Sequence, residues 1–277
     1  MRLTALVANG GLGGGDGGRI IWSGGDGGTP RVEVFGNGFL DFSFHPIPSV
    51  TIGSIEGSGL VFLGGDNLTV GSNNLSTTFS GVIQDGGVNG GTLGSFTKIG
   101  TGALTLSGAN IYTGVTTVSA GTLLVNAKPS SGTGTHKMNV NAGTLGGTGT
   151  IGGAVTVGTG SGSGAFLSPG TTGIGTLTLK EALTFKADGT YKFELKSRTS
   201  KADKVTAKGV TITGAVRSSP LLVSAQARSR RAPFSPSSTI PRRQQLAAPL
   251  VTWPMGRSSP SAATAIKPAT PAAPATI

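Results

Sequence analysis

Short runs of β-branched and aliphatic residues, each ended by glycine, asparagine, serine or aspartate, follow one another over residues 50–196. Runs 60–63 and 68–70, for example, are separated by the polar segment 64–67. Threonine and valine favour pleated, half-buried strands, and glycine and asparagine tolerate the positive φ angles of tight turns. Because no stretch shows the 3.6-residue period of an amphipathic helix, the pattern predicts an all-β protein.

One tripeptide, Gly-Thr-Leu, recurs along the chain. Copies begin at Gly91, Gly121, Gly143 and Gly175, and the last three are 22 and 32 residues apart. Such a period is typical of solenoids, in which stacked coils bury one another's apolar faces. At roughly 20–25 residues per coil, residues 1–214 predict about eight to ten coils with a continuous aliphatic core.

A β-barrel or a β-sandwich is the structural alternative, because some segments alternate apolar and polar residues as strands of those folds do. The clearest is 191–196, which together with 183–185 and the turn at 187–190 predicts a β-hairpin. We expect this hairpin to form a cap or an edge at the C-terminal end of the solenoid.

Residues 100–125 read GTGALTLSGANIYTGVTTVSAGTLLV. This segment closely resembles the autotransporter-associated β-strand repeat, also called the passenger-associated transport repeat, whose pattern is G-x-G-x-L-x-L-x-G-x-N-x-Y-x-G-x-T-x-V-x-x-G-x-L. Every position of the pattern is met, by Gly100, Gly102, Leu104, Leu106, Gly108, Asn110, Tyr112, Gly114, Thr116, Val118, Gly121 and Leu123. The flanks also look like the family's larger proteins, so that the resemblance covers about residues 28–214.

The resemblance implies a right-handed parallel β-helix in a large secreted or surface-displayed bacterial protein, where the repeat assists secretion and folding of the passenger. It places the parent protein outside the cell or at the outer membrane. A membrane β-barrel normally follows the passenger, but residues 215–277 lack the alternating segments of about 10 residues that such a barrel uses. Self-transport is therefore not expected of this chain.

Two polar side chains of the repeat could have either a structural or a binding role. We expect Asn110 to lie at a coil corner, where its amide can bond neighbouring backbone. We expect Tyr112 to pack outward or over the end of a coil. Ligand contact is the alternative for both.

Charge and composition change near Gly214. Residues 1–214 hold 14 basic and 11 acidic residues, whereas 215–277 hold 8 basic and no acidic residues. Of the 49 glycines, 48 lie before residue 215, and 10 of the 15 prolines lie after it. Such a tail is predicted to be disordered, and a basic tail can bind nucleic acid, although no nucleic-acid-binding fold is visible.

A frameshift explains the tail better than nucleic-acid binding does. Back-translated and read one base earlier, it permits strings such as F-T-V-I-N-N-T, which resemble the family's C-terminal closing segment. We therefore divide the chain into a glycine-rich segment 1–30, a β-solenoid 31–214 with the repeat core at 97–126, and a Pro/Ala/Arg-rich tail 215–277 that is out of frame and disordered.

Residues of the types that catalyse reactions or bind metals are few. The chain has no cysteine, and His45 and His136 lie far apart without a nearby triad motif. The glycine clusters around Asp16 and Asp26 lack the lysine of a phosphate loop and the phase of calcium-binding nonapeptides. We expect no catalytic residue, no metal and no cofactor.

Polysaccharide lyases and glycosidases also use β-helices, and glycosidases need two carboxylates at a set separation. The acidic pairs considered are Glu181 with Asp188 and Glu194 with Asp203, which lie among lysines and indicate a solvated edge. The predicted function is therefore a structural or adhesive passenger-type segment and not an enzyme. The alternative is a carbohydrate-binding or polysaccharide-degrading β-helix enzyme fragment.

Glycans or host and cell surfaces are the expected partners, and nucleic acid is not. No apolar run approaches the roughly 20 residues of a membrane helix. The apolar run 3–8 is too short for a signal peptide. We therefore expect a gene fragment of a larger parent protein.

Overall fold

The computed structural model describes residues 5–11, 15–162, 164–196 and 199–214, and the backbone of 275–276. None of these residues forms an α-helix. Each β-branched run is long enough for a strand of two to five residues, and the glycines between runs disfavour helical continuation by about 1 kcal/mol each.

The strands are short and closely spaced. In chain order they are β1 (Ala5–Ala8), β2 (Arg19–Ile21), β3 (Arg31–Val34), β4 (Phe39–Asp41), β5 (Ser49–Ile52), β6 (Ser54–Gly57), β7 (Leu60–Phe62), β8 (Asn67–Val70), β9 (Thr77–Phe79), β10 (Val82–Gln84), β11 (Ser95–Lys98), β12 (Ala103–Leu106), β13 (Thr116–Val118), β14 (Thr122–Val125), β15 (Met138–Val140), β16 (Gly143–Gly147), β17 (Thr150–Ile151), β18 (Val155–Val157), β19 (Ala165–Pro169), β20 (Thr176–Leu179), β21 (Leu183–Phe185), β22 (Gly189–Tyr191), β23 (Leu195–Lys196), β24 (Lys201–Ala202), β25 (Lys204–Ala207), β26 (Val210–Ile212) and β27 (Ala275–Thr276).

Parallel stacking arranges these strands into three faces. Face 1 is β1-β3-β6-β9-β12-β14-β16-β19-β22, and face 3 is β5-β8-β11-β13-β15-β18-β21-β26. Face 2 has two parts, β2-β4-β7-β10 and β17-β20-β25, and β25 also pairs antiparallel with β27. The chain visits the faces in the order 1, 2, 3 and then begins the next coil, which is the topology of a parallel β-helix.

Within the described residues, nine strands on face 1 define nine coils, and successive face 1 strands begin between 19 and 26 residues apart. The predicted all-β solenoid and the predicted number of coils are therefore confirmed. The barrel and sandwich alternatives are excluded because the coils pair in parallel.

Side chains that alternate along each strand point into the stack and form ladders of like residues. On face 1, Leu104, Leu123, Leu145 and Leu167 are in register, and each is at most 1% exposed. Because one coil cannot cover its own apolar side chains, the neighbouring coils close the core, and the stack is stabilised by about 25 cal/mol for each Å² of apolar surface buried.

Regular pairing extends into the glycine-rich N-terminal segment. β1 pairs in parallel with β3, and β2 pairs in parallel with β4. Ala8 lies in the core, and Leu6 and Ile20 pack against it. The first coil thus includes strands that lie before residue 31, where we expected the solenoid to begin.

The predicted hairpin at 183–196 is wrong. Leu183–Phe185 lies on face 3 and Gly189–Tyr191 on face 1, and both pair in parallel with the preceding coil. The turn between them is a coil corner, where the Asp188 carboxylate accepts hydrogen bonds from the backbone N–H groups of Thr159 at 3.0 Å and Gly160 at 2.6 Å. A turn signal flanked by alternating residues fits a coil corner as well as a hairpin. A short antiparallel pair, β23–β24, follows instead.

The predicted out-of-frame tail, 215–277, lies outside the described residues except for the backbone of β27.

Candidate functional site

The repeat segment, which we define as residues 100–125, forms one coil and opens the next. It contains β12, β13 and β14, on faces 1, 3 and 1. Among the described residues, face 2 has no strand between β10 and β17, so that the repeat segment crosses face 2 where the strand ladder is interrupted.

Asn110 bridges this interruption with its side-chain amide. Its Oδ1 accepts a hydrogen bond from the backbone N–H of Ile83 at 2.8 Å, and its Nδ2 donates to the carbonyl of Gly132 at 2.6 Å. The backbone N–H of Gly132 continues the series by donating to the carbonyl of Thr150 in β17 at 2.9 Å. The side-chain amide of Asn110 therefore supplies the hydrogen bonds between coils that a face 2 strand would otherwise make. Because Asn110 is 1% exposed, it does not face a ligand.

Tyr112 lies in the core, so the expectation that it packs outward or over a coil end is wrong. It is fully buried, and its ring packs against Phe96 with centroids 6.4 Å apart. Its hydroxyl bonds Thr116 Oγ1 at 2.5 Å, and Thr116 donates to the carbonyl of Thr133 at 3.1 Å. Burial raises the pKa of Tyr112 well above its ordinary value. A buried phenol hydroxyl needs a hydrogen-bond partner. Here the partner is Thr116, which the coil corner between Tyr112 and β13 brings within reach.

The glycines of the repeat segment lie where coils approach most closely. Gly100 and Gly121 have φ angles of 68° and 65°, and a Cβ on either would overlap a backbone carbonyl of the preceding coil. Only glycine adopts this left-handed corner without strain. Gly102, Gly108 and Gly114 likewise face backbone carbonyls that leave no room for a side chain.

The remaining repeat positions are apolar ladder residues. Leu104, Leu106 and Leu123 point inward from face 1, and Val118 points inward from face 3. The seven signature residues that are not glycine are thus all buried.

Lys98 is an interior residue that sequence reasoning missed. It is in register with Val70 and Val118 in an otherwise apolar ladder of face 3, and it is 1% exposed. Its Nζ donates to the carbonyls of Ile99 and Gly100, and burial lowers the pKa of Lys98 to about 8. The sequence signal for its burial was its position two residues after Phe96 in β11, which places both side chains on the inner side of the strand.

An acidic pair on face 1 was also missed. Glu33 and Glu56 are 23 positions apart in the chain but directly paired between β3 and β6. Both contact Arg31, with Arg31 Nε 3.0 Å from Glu33 Oε1. The three side chains form a charged cluster on the outer surface of the first coils.

Several other carboxylates accept hydrogen bonds from backbone N–H groups at coil corners. Asp41 accepts from Ser43 and Val88 N–H groups at 2.8 Å, and Asp85 accepts from Gly94 N–H at 3.0 Å. Asp203 accepts from two backbone N–H groups, and Glu181 pairs with Lys208 at 2.7 Å. Of the pairs considered from the sequence, Glu181 pairs with Lys208 while Asp188 accepts from backbone N–H groups. In the pair of Glu194 with Asp203, Asp203 accepts from the Glu194 backbone N–H at 2.8 Å.

The two histidines lie apart in different settings. His45 is buried, with its ring nitrogens facing the carbonyls of Gly25 and Ile47, and His136 is exposed. Within the described ranges, no group of three or more His, Cys, Asp or Glu side chains is placed to hold a metal ion. No helix in the part that the structure describes is long and apolar enough to cross a membrane.

The nine parallel coils of the described part of the chain, with their internal signature of glycine, leucine and asparagine, define a parallel β-solenoid. The passenger-associated-transport-repeat family matches residues 96–125, so the chain carries this repeat and the resemblance seen in the sequence is confirmed.

The chain is also similar to the adhesin BmaC autotransporter of Brucella suis biovar 1 (strain 1330). The two are 36% identical over 149 residues, which is 50% of this chain and 4% of the adhesin. The chain thus corresponds to a small share of that relative's length.

Proposed function

We propose that the chain is a non-catalytic, passenger-type solenoid segment of a bacterial cell-surface protein, with a structural or adhesive role. The observation that carries the proposal is the burial of every signature side chain of the repeat. Asn110 and Tyr112 complete the coil stack from inside, so the repeat builds a scaffold and leaves recognition to the outer surface.

Two further findings support this proposal. The chain is similar to part of an autotransporter adhesin, which favours a parent protein at the outer membrane and glycans or host surfaces as partners. The corner carboxylates Asp41, Asp85, Asp188 and Asp203 accept backbone hydrogen bonds, and a carboxylate committed in this way is poorly placed to move a proton to a substrate.

A carbohydrate-active β-helix is the second candidate, favoured by the cluster of Arg31, Glu33 and Glu56 on face 1. Two neighbouring carboxylates are the minimum that a glycosidase uses. Both carboxylates here contact one guanidinium, an arrangement that suits binding of hydroxyl groups more than proton transfer.

The test couples adhesion to catalysis. Beads coated with the purified full chain are applied to epithelial cells and to immobilised glycans, with an unrelated β-helix protein of similar size on control beads. The same preparation is incubated with pectin-like and neutral polysaccharides, and reducing ends are measured. We expect adhesion without product release, whereas turnover of any polymer would overturn the non-catalytic assignment.

Location is tested separately. Antibodies raised against the full chain should label intact producing cells, and protease added outside should remove the signal. Labelling that needs cell lysis contradicts the surface assignment.

A further inference from the structure

The hydrogen-bond ladder of face 1 is incomplete between β6 and β9. β3 and β6 are paired at four positions, and β9 and β12 at three, but β6 and β9 are paired only at Gly57 and Phe79. The pairing stops where Glu56 and Thr78 would face each other. The backbone pairing of face 1 is therefore interrupted at this point.

A shallow, open groove of about 540 Å³ lies over this interruption. Its lining combines one aromatic ring, one carboxylate and several hydroxyl groups: Phe35, Glu56, Ser76, Thr78 and Ser80.

The shape of the groove depends on Gly57. A Cβ at this position would overlap the Val34 carbonyl and lie 3.1 Å from Phe35 Cδ1. Because Gly57 has no side chain, the Phe35 ring can lie beside strand β6, and Phe35 remains 39% exposed. Ser80 is held on the opposite side by hydrogen bonds from its N–H and Oγ to the Gly57 carbonyl, at 2.7 and 3.1 Å.

The charge beside the groove is fixed and slightly negative. Arg31 contacts both Glu33 and Glu56, so one guanidinium is set against two carboxylates. A uronic acid polymer meets like charge here, whereas a neutral sugar meets carboxylate oxygens that accept hydrogen bonds from its hydroxyls and side-chain hydroxyls that donate or accept. The exposed ring offers an apolar face for the C–H surface of a pyranose.

We propose that this face 1 groove binds a neutral oligosaccharide, with Phe35 stacking on one sugar ring and Glu56 accepting hydrogen bonds from its hydroxyl groups. The inference names the ligand class of the adhesive surface, and for its biological role it rests on the proposed function. Binding needs no bond to form or break, and Arg31 keeps Glu56 in place for it.

The experiment measures binding of the purified full chain to an array of neutral and uronic-acid glycans, followed by titration calorimetry with the best neutral hexasaccharide and with hexagalacturonate. Phe35→Ala should weaken neutral glycan binding about tenfold, because it removes the ring on which the sugar stacks. Glu56→Gln should weaken it by a similar factor, because a neutral amide oxygen is a weaker acceptor than a carboxylate.

Two matched variants control for generic surface effects. Phe44→Ala removes a phenylalanine that is 42% exposed outside the groove, and Glu181→Gln removes a carboxylate that pairs with Lys208. Both should bind as the wild type does, and all four variants should keep the wild-type circular dichroism spectrum.

Absence of binding to every neutral glycan overturns the proposal, as does wild-type affinity in Phe35→Ala, equal loss in Phe44→Ala, or equal affinity for hexagalacturonate. Bead adhesion on the same preparations separates this inference from the proposed function. If the beads adhere although no neutral glycan binds, the proposed glycan site is wrong but the proposed adhesive function is not.

Discussion

Lys98→Met removes a positive charge that the solenoid buries between two valines. Methionine keeps the unbranched shape of the lysine stem without the ammonium group. In the wild type, burial lowers the pKa of Lys98 from its ordinary 10.5 to about 8, and the side chain is 1% exposed. The folded protein therefore disfavours the charged form, and this preference has a definite signature in pH.

Below pH 8, Lys98 is charged in both the folded and the unfolded chain, and folding carries the full cost of burying the ammonium. Between pH 8 and pH 10.5 the unfolded chain still holds a proton that the folded chain has released. The unfolded state then binds more protons, so the free energy of unfolding rises with pH across this window. The difference between the two pKa values corresponds to about 3 kcal/mol, at ~1.36 kcal/mol per pH unit.

Guanidinium unfolding followed by circular dichroism at pH 7, 8, 9 and 10 measures this effect as the stability of Lys98→Met minus that of the wild type. We expect this difference to fall by about 2–3 kcal/mol from pH 7 to pH 10, because only the wild type gains stability there. Loss of the hydrogen bonds to the Ile99 and Gly100 carbonyls shifts the stability difference by a constant amount at every pH, so it does not produce the pH dependence. Lys137→Met, at an exposed lysine, is the control and should show no slope. A flat difference for Lys98→Met refutes the reasoning.

Two further variants test the repeat segment. Asn110→Ala leaves a buried N–H and a buried carbonyl of neighbouring coils without partners and should cost about 2–6 kcal/mol, at roughly 1–3 kcal/mol for each group. Equal denaturation midpoints for Asn110→Ala and the exposed control Asn89→Ala would contradict this. Gly121→Ala forces a side chain into a left-handed corner against a backbone carbonyl and should lower stability by at least about 1–2 kcal/mol. Gly209→Ala, where a Cβ meets nothing within 4 Å, should be neutral or stabilising, and the same melting temperature in both glycine variants would exclude the proposed corner strain.

The coil stack could be predicted because its signals are local. A run of three or four β-branched residues predicts a strand, a glycine predicts the corner, and the spacing of Gly-Thr-Leu copies predicts the number of coils. Leu104 and Leu123 then align, and each follows a glycine, Gly102 or Gly121, by two residues.

Lys98, Tyr112 and the pair of Glu33 and Glu56 depend on register, which is not local. Coil lengths vary from 19 to 26 residues, so residues that become neighbours have no constant spacing in the chain. A shift of one residue also exchanges the inner and outer sides of a strand. Lysine is normally solvated, and composition alone therefore places Lys98 outside, whereas its alternation with Phe96 places it inside.

The same alternation separates scaffold from recognition in this solenoid. On face 1, Leu104 and Leu123 point into the core, while Thr105 and Leu124, one position further, pair along the outer side. The inner ladder must match from coil to coil, since a mismatch leaves a cavity or an unpartnered polar group, but the outer ladder is free to vary. Phe35→Ala should therefore change glycan binding without changing stability, and Asn110→Ala should lower stability without changing the affinity of the molecules that remain folded. A variant in which both properties fall together would show that the groove and the repeat segment are coupled through the stack.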